Sequence, residues 1–308
     1  MLVAFVAAAT ALSVQPGANV LVVGNGGVQI LAARLAALRG YETTLALAPQ
    51  FMTQTEDFIY DDNHPKGSLP LKLMAIAGDA ADAEKIDQAC AAADALIVAF
   101  DNEKQFLPEP ALNVFMPEGS NVKRVCMMSR YLNGRGMGFT VKAAKLAANA
   151  EIWSAEDDLV SQFKSMEAAV TKRAKEIGAG STIIRAGTLK GGASGDALSG
   201  GSGEAMFLNP KFYSVGQQDV ANWRLLFDCG SLGVRLSKGD TLPGPGFMAA
   251  MTATGLGSGD SHRGAVAMSL VEALRSEAAE DADFSLASED GREFPKEAEW
   301  PSMFENAK

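Results

Sequence analysis

The stretch VLVVGNGGVQILAARLAALRGYETTLAL, residues 20–47, limits what this chain can fold into more than any other. Residues 20–23 are an apolar run of the kind buried in a parallel sheet, and the run ends at once in a glycine-rich turn. Val28, Leu31, Ala32, Leu35 and Leu38 then recur at helical spacing, Gly40 stops the helix, and residues 43–48 form a second apolar strand. Strand, glycine turn, helix and strand is the setting of a dinucleotide-binding unit. In such a unit Gly24 allows the tight turn, and Gly26 lets the backbone approach a pyrophosphate at the helix N-terminus. Two positions depart from the pattern. Gln29 stands where a third glycine would let helix and strand pack closely, so it either swings outward or crowds the phosphate channel. After the second strand, Ala48-Pro49-Gln50 offers neither an acid for a ribose nor an arginine for a 2′-phosphate.

The alternation continues downstream. Residues 51–70 are polar and broken by Pro65, Gly67 and Pro70, which predicts a long loop, with His64 solvated in it. Strands are predicted at 71–77, 95–100, 123–129 and 181–187, and helices at 82–92 and 154–177. Residues 191–203 hold six glycines, a composition suited to a flexible lid or a surface excursion. An amphipathic helix at 262–274 and a short strand at 283–288 follow, and Trp300 and Phe304 are candidate anchors for the charged tail. The divisions are an apolar leader over 1–17, a Rossmann core over 18–190, and a segment over 191–308 that completes the same domain.

A net charge of −10 argues against a nucleic-acid groove, which needs a basic stripe. Cys90, Cys126 and Cys229 are odd in number and widely spaced, which fits buried thiols better than a metal site. The first fourteen residues carry no charge and are too few to span a membrane. They are similar to the apolar part of a targeting leader, which gives a plastid as the expected location and the cytoplasm as the alternative.

In order and spacing, VLVVGNGGVQ, AIAGDAADAEKIDQACAAADALIVAF, VKRVCMMS, FKSMEAAVTKRAKEIGAGSTIIRAGTLKGG and SHRGAVAMSLVEAL resemble the atypical short-chain dehydrogenase/reductase proteins. That group includes NmrA-like and plastid NAD(P)-binding members. The resemblance implies a Rossmann-like, doubly wound parallel α/β sheet with a small C-terminal substrate region. It implies NADP or NAD as cofactor, held by Gly24, Gly26, Gly27, Val28, Asp79, Ala99, Phe100 and Lys164, with Asp79 close to the adenine. The wider family reduces carbonyls with Tyr-x-x-x-Lys on its long helix, the tyrosine donating the proton. Lys164 matches that lysine, but Val160 stands in the tyrosine place, and an apolar side chain donates no proton. Ser129 matches the family serine, and Tyr131 is the nearby phenol that could substitute, so Ser129, Tyr131 and Lys164 are the catalytic candidates.

Gln29, the bare turn at residues 48–50 and Val160 all weaken a reductase. They favour weak or absent cofactor binding and a non-catalytic scaffold, assembly or sensor subunit, with protein partners in a complex at a plastid membrane. The alternative is an NAD(P)H-dependent oxidoreductase with a non-standard proton donor.

Overall fold

A computed structural model describes residues 13–62, 64–78, 82–101, 105, 107–130, 157–187, 189–192, 208–209, 211–212, 232–240, 261–291 and 293–307. Tyr131, Asp79, Cys229 and most of the glycine-rich stretch at 191–203 lie outside them.

The described strands are β1 (Asn19–Asn25), β2 (Glu42–Leu47), β3 (Leu71–Ala75), β4 (Ala95–Phe100), β5 (Arg124–Arg130), β6 (Gly180–Ala186), β7 (Leu189–Lys190), β8 (Gly233–Lys238), β9 (Ser261–His262) and β10 (Ala282–Glu289). The described α-helices are α1 (Gly27–Leu38), α2 (Met52–Ile59), α3 (Ala83–Ala92), α4 (Glu109–Phe115), α5 (Asp157–Glu176), α6 (Arg263–Ala273) and α7 (Trp300–Asn306). Eight strands form one sheet in the order β3-β2-β1-β4-β5-β6-β10-β8, while β7 and β9 pair separately. All neighbours in the large sheet are parallel except β10 and β8. This is the doubly wound α/β fold that the apolar runs predict.

Both faces of the sheet are covered, which is why its central strands read as unbroken apolar runs. Successive residues serve opposite layers. Val20, Val22, Ile97, Cys126, Met128 and Ile184 join one core with α1, α6 and α7. Leu21, Val23, Leu96, Val98, Met127 and Ile183 join the other with Phe163, Met166 and Val170 of α5. Burial pushes the Cys126 thiol up to about 12, and the Cys90 thiol to about 11, so both are inert packing groups at neutral pH.

Four expectations need correction. Residues 51–70 are not one loop, because α2 forms within them. Thr55, Phe58 and Ile59 bury one side of it, and the fully buried Arg34 of α1 donates to the Ile59 carbonyl at 2.7 Å and to Asp61 at 2.8 Å. His64 is half-buried against Asp61 rather than simply solvated. The 262–274 helix is not amphipathic: every residue of α6 from Gly264 onward is buried, because α1 lies on one side and β5 and β6 on the other. The leader expected over 1–17 is too long at its C-terminal end. Val14 sits in the core, its N–H donates to the Leu274 carbonyl at 2.8 Å, and Tyr41 donates its hydroxyl to the Val14 carbonyl at 3.0 Å.

The C-terminal elements are tied to the first ones. Glu272 on α6 accepts from Arg39 at 2.9 Å and from Arg275, and Glu297 pairs with both arginines. Trp300 and Phe304 are buried in the same layer, with Phe304 against Phe284 of β10. Arg124, fully buried on β5, donates to the Ser276 carbonyl and pairs with Glu280, both 3.3 Å away.

Candidate functional site

The C-terminal edges of β1 and β4 meet at the point where the strand order reverses, the crevice in which open α/β sheets hold ligands. Gly24 lies opposite Ala99 and Asn25 opposite Phe100 in the parallel register. A Cβ on Gly24 would lie 1.7 Å from the Ala99 carbonyl oxygen, so only glycine lets β1 turn beside β4. Gly26, with φ near +100°, enters α1 in a backbone conformation that glycine alone adopts without strain. Gly24, Gly26, Gly27, Val28, Ala99 and Phe100 are therefore brought together, as expected.

What lies against them is the chain itself. The backbone N–H of Val28, one of the unpaired donors in the first turn of α1, donates to Oδ1 of Asp101 at 2.8 Å. Oδ2 of the same carboxylate accepts from Nε of Arg263 at 2.7 Å, and Arg263 also donates to the Gly191 carbonyl at 3.1 Å. A Cβ on Gly26 would lie 2.4 Å from Cβ of Asp101, and one on Gly27 would lie 2.8 Å from the Phe212 ring and 3.1 Å from Cδ of Arg263. The Arg263 guanidinium stands 6.0 Å from the Phe212 ring centre. Beside this group the buried Arg130 donates to the carbonyls of Phe100, Asp101 and Gly187, holding the ends of β4 and β6 together across β5.

Gln29 is the clearest resolution of a sequence ambiguity. Its side chain is buried and donates from Nε2 to the Ala46 carbonyl of β2 at 2.6 Å, away from the turn. It spans the gap a third glycine would close and does not crowd the phosphate channel. Gln29→Gly is thus expected to lower stability by about 1–2 kcal/mol, through the lost hydrogen bond and the added backbone freedom. Cofactor affinity should change by less than about 1.4 kcal/mol, a tenfold factor. Parallel urea melts and NADPH titrations of both proteins check this, and a large gain in affinity would make Gln29 the obstacle after all.

The catalytic candidates differ in burial. Ser129, next to last in β5, is fully buried, and its hydroxyl makes no hydrogen bond among the described residues. Across the register stands Arg185 of β6, paired with Glu167 of α5 at 2.7 Å and with Asp283 of β10. Phe163, Met166, Glu167, Val170 and Ala174 form the buried face of α5. Lys164 is exposed, about a quarter turn off that face at roughly 100° per residue. Tyr131 and Asp79 fall outside the described residues, as does the side chain of Val160.

Asp101, Arg130 and Arg263 were missed. One signal was available, since Asp101 is the first charged residue after an apolar strand, beside two residues already assigned to the site. Arg263 follows it by 162 positions, and nothing local in the sequence joins the two.

Strand order, the glycine turn at the first crossover and the helices on both faces define a Rossmann-like α/β fold. Solved structures similar to it include these two. A wide-type short-chain dehydrogenase/reductase from Veillonella parvula DSM 2008, solved in complex with NADP, matches with a TM-score of 0.50 and 12% identity, over 90% of this chain and 98% of that one. A reductase engineered to attenuate substrate inhibition in asymmetric catalysis matches with a TM-score of 0.50 and 10% identity, over 88% and 78%. At these identities the likeness is one of fold. No family model and no curated protein matches the chain.

The side chains present do not fit a dinucleotide bound in the usual way. A diphosphate at the start of α1 would meet the Asp101 carboxylate on the Val28 N–H and the Phe212 ring on Gly27. Two like charges about 4 Å apart repel by about 4 kcal/mol at an effective dielectric of about 20, so even partial overlap would be costly.

Proposed function

We propose that this chain is an atypical member of the short-chain dehydrogenase/reductase group, of the NmrA-like and plastid NAD(P)-binding type. Its role is that of a non-catalytic scaffold, assembly or sensor subunit of a protein complex. One observation carries the proposal: the α1 N-terminus, where this fold holds a cofactor's phosphates, is capped by the chain's own Asp101, with Arg263 as its counter-charge. The exposed Lys164 and the valine in the tyrosine place of α5 support it from the sequence and the helix face. The plastid location and the membrane-side complex are proposed from the resemblance together with the uncharged first fourteen residues.

Titration of the purified full chain with NADPH and NADH, followed by intrinsic tryptophan fluorescence, tests this directly. Binding is expected near a Kd of about 1 mM or weaker, about −4 kcal/mol, with little preference between the two and no carbonyl reduction. Micromolar binding with turnover would establish the oxidoreductase instead. Native electrophoresis of plastid extracts addresses the assembly role, since a scaffold subunit migrates well above its own 32.2 kDa.

A further inference from the structure

We infer that Asp101, fixed by Arg263, is an internal substitute for a dinucleotide's phosphate: a plug that selects against diphosphates at this turn. The inference rests on the closed seat described under the proposed function and assigns the closure to one residue. Three observations carry it. First, the plug makes the contact a phosphate oxygen would make, since Oδ1 of Asp101 accepts the Val28 N–H at 2.8 Å. An anion at a helix N-terminus satisfies both the unpaired donor and the helix dipole, so the carboxylate meets the same electrostatic demand as the ligand it replaces.

Second, the plug is held in place. Both Asp101 and Arg263 are largely buried, with side chains 15% and 14% exposed, and the arginine is anchored at its other end on the Gly191 carbonyl. The backbone carbonyl of Asp101 is gripped by Arg130, and its N–H donates to the Asn25 carbonyl at 2.8 Å. A carboxylate restrained at both backbone groups and at both oxygens is not a side chain that swings aside when a ligand arrives.

Third, side chains of the chain itself lie against the glycines of the turn. Gly26 lies against Asp101, and Gly27 against Phe212 and Arg263, so the space a pyrophosphate requires is used by these side chains. The turn has the shape of a nucleotide site and the chemistry of a closed one. With the carboxylate removed, Arg263 would be left at the mouth of the turn as a cation facing the N–H groups of α1, an arrangement that fits a diphosphate.

The experiment compares the full-length wild type with Asp101→Ser and Asp101→Asn. Serine removes the charge and most of the bulk but retains a capping oxygen for the Val28 N–H, whereas asparagine removes the charge and keeps the bulk. NADPH binding is read by fluorescence, and inorganic pyrophosphate binding by thermal shift. Asp101→Ser is expected to bind NADPH at least tenfold more tightly than the wild type and to be stabilised by pyrophosphate. Asp101→Asn should show a smaller gain. Adding Arg263→Gln to Asp101→Ser should abolish the gain, because the cation that faces the phosphates is then gone. Folded variants that bind no better than a weakly binding wild type would overturn the plug and leave the proposed function standing. Micromolar binding by the wild type itself would overturn the closed seat on which both rest. Loss of folding in both single variants would assign Asp101 a purely structural role and overturn the inference equally.

Discussion

Glu167→Gln is expected to destabilise the protein by about 3 kcal/mol, since removing one partner of a buried ion pair leaves the other charge uncompensated. Glu167 and Arg185 are both buried, and the pair is made twice, through Nε at 3.0 Å and Nη2 at 2.7 Å. Burial lowers the pKa of Arg185, but Glu167 and then Asp283 outweigh it and raise the guanidinium above its ordinary value. Asp283 is too exposed, at 40%, to replace the lost charge alone. Urea denaturation of the variant measures the loss. The double variant Glu167→Leu with Arg185→Met should recover most of it, because two apolar side chains of similar volume leave no charge to desolvate. A single-variant loss below about 1 kcal/mol would show that water or a rearranged Asp283 compensates the arginine.

His262 should make the fold acid-sensitive at mild pH. Burial first, and the neighbouring Arg263 second, hold its imidazole down to about 3. The ring caps α6 by accepting the Gly264 N–H at 3.0 Å and stands edge-on to Phe294. In the unfolded chain a histidine titrates near 6.5, so between that value and about 3 the unfolded state takes a proton that the native state refuses. The stabilisation is complete above pH 6.5 and falls as the pH drops through this window. Between pH 6.5 and 5 the loss attributable to His262 is about 2 kcal/mol. Equilibrium unfolding at several pH values measures the slope. His262→Asn keeps an oxygen acceptor for the helix cap and does not titrate, so its profile should be flatter than the wild type's by that amount. Equal slopes would mean that the wild-type ring takes up its proton without unfolding.

Much of the fold was legible because its central strands are buried on both faces. β4, residues 95–100, is found where the sequence places it, and β1, β5, β6 and β10 begin and end within a residue or two. The elements that escaped are those whose burial is not written in their own residues. α2 reads MTQTEDFI, polar enough to pass for loop, and it is held by an arginine from another helix. β8 reads GVRLSK and lies half-exposed at the sheet edge, so no apolar run announces it. α6 looks amphipathic only because Arg263, His262 and Glu272 are counted as solvent-facing, whereas each is paired inside the protein. At the site, the glycine turn was plain and its occupant was not. Glycine spacing specifies a backbone shape, and the Asp101–Arg263 pair that fills the shape is a tertiary fact.

The place of β10 in the sheet has a consequence for how the chain is made. β6 pairs on one side with β5 and on the other with β10, which is synthesised roughly 100 residues later. At about 5–20 residues per second, that interval leaves the outer edge of β6 without a partner for about 5 to 20 seconds on the ribosome. Over the same period Arg124 awaits the Ser276 carbonyl, 152 positions downstream, and the layer that Trp300 and Phe304 will cover stays open. An uncovered apolar edge is the surface on which unfinished sheets pair with one another. Translation order and assembly order thus run against each other in this sheet, because the edge of β6 is covered only once β10 has been made.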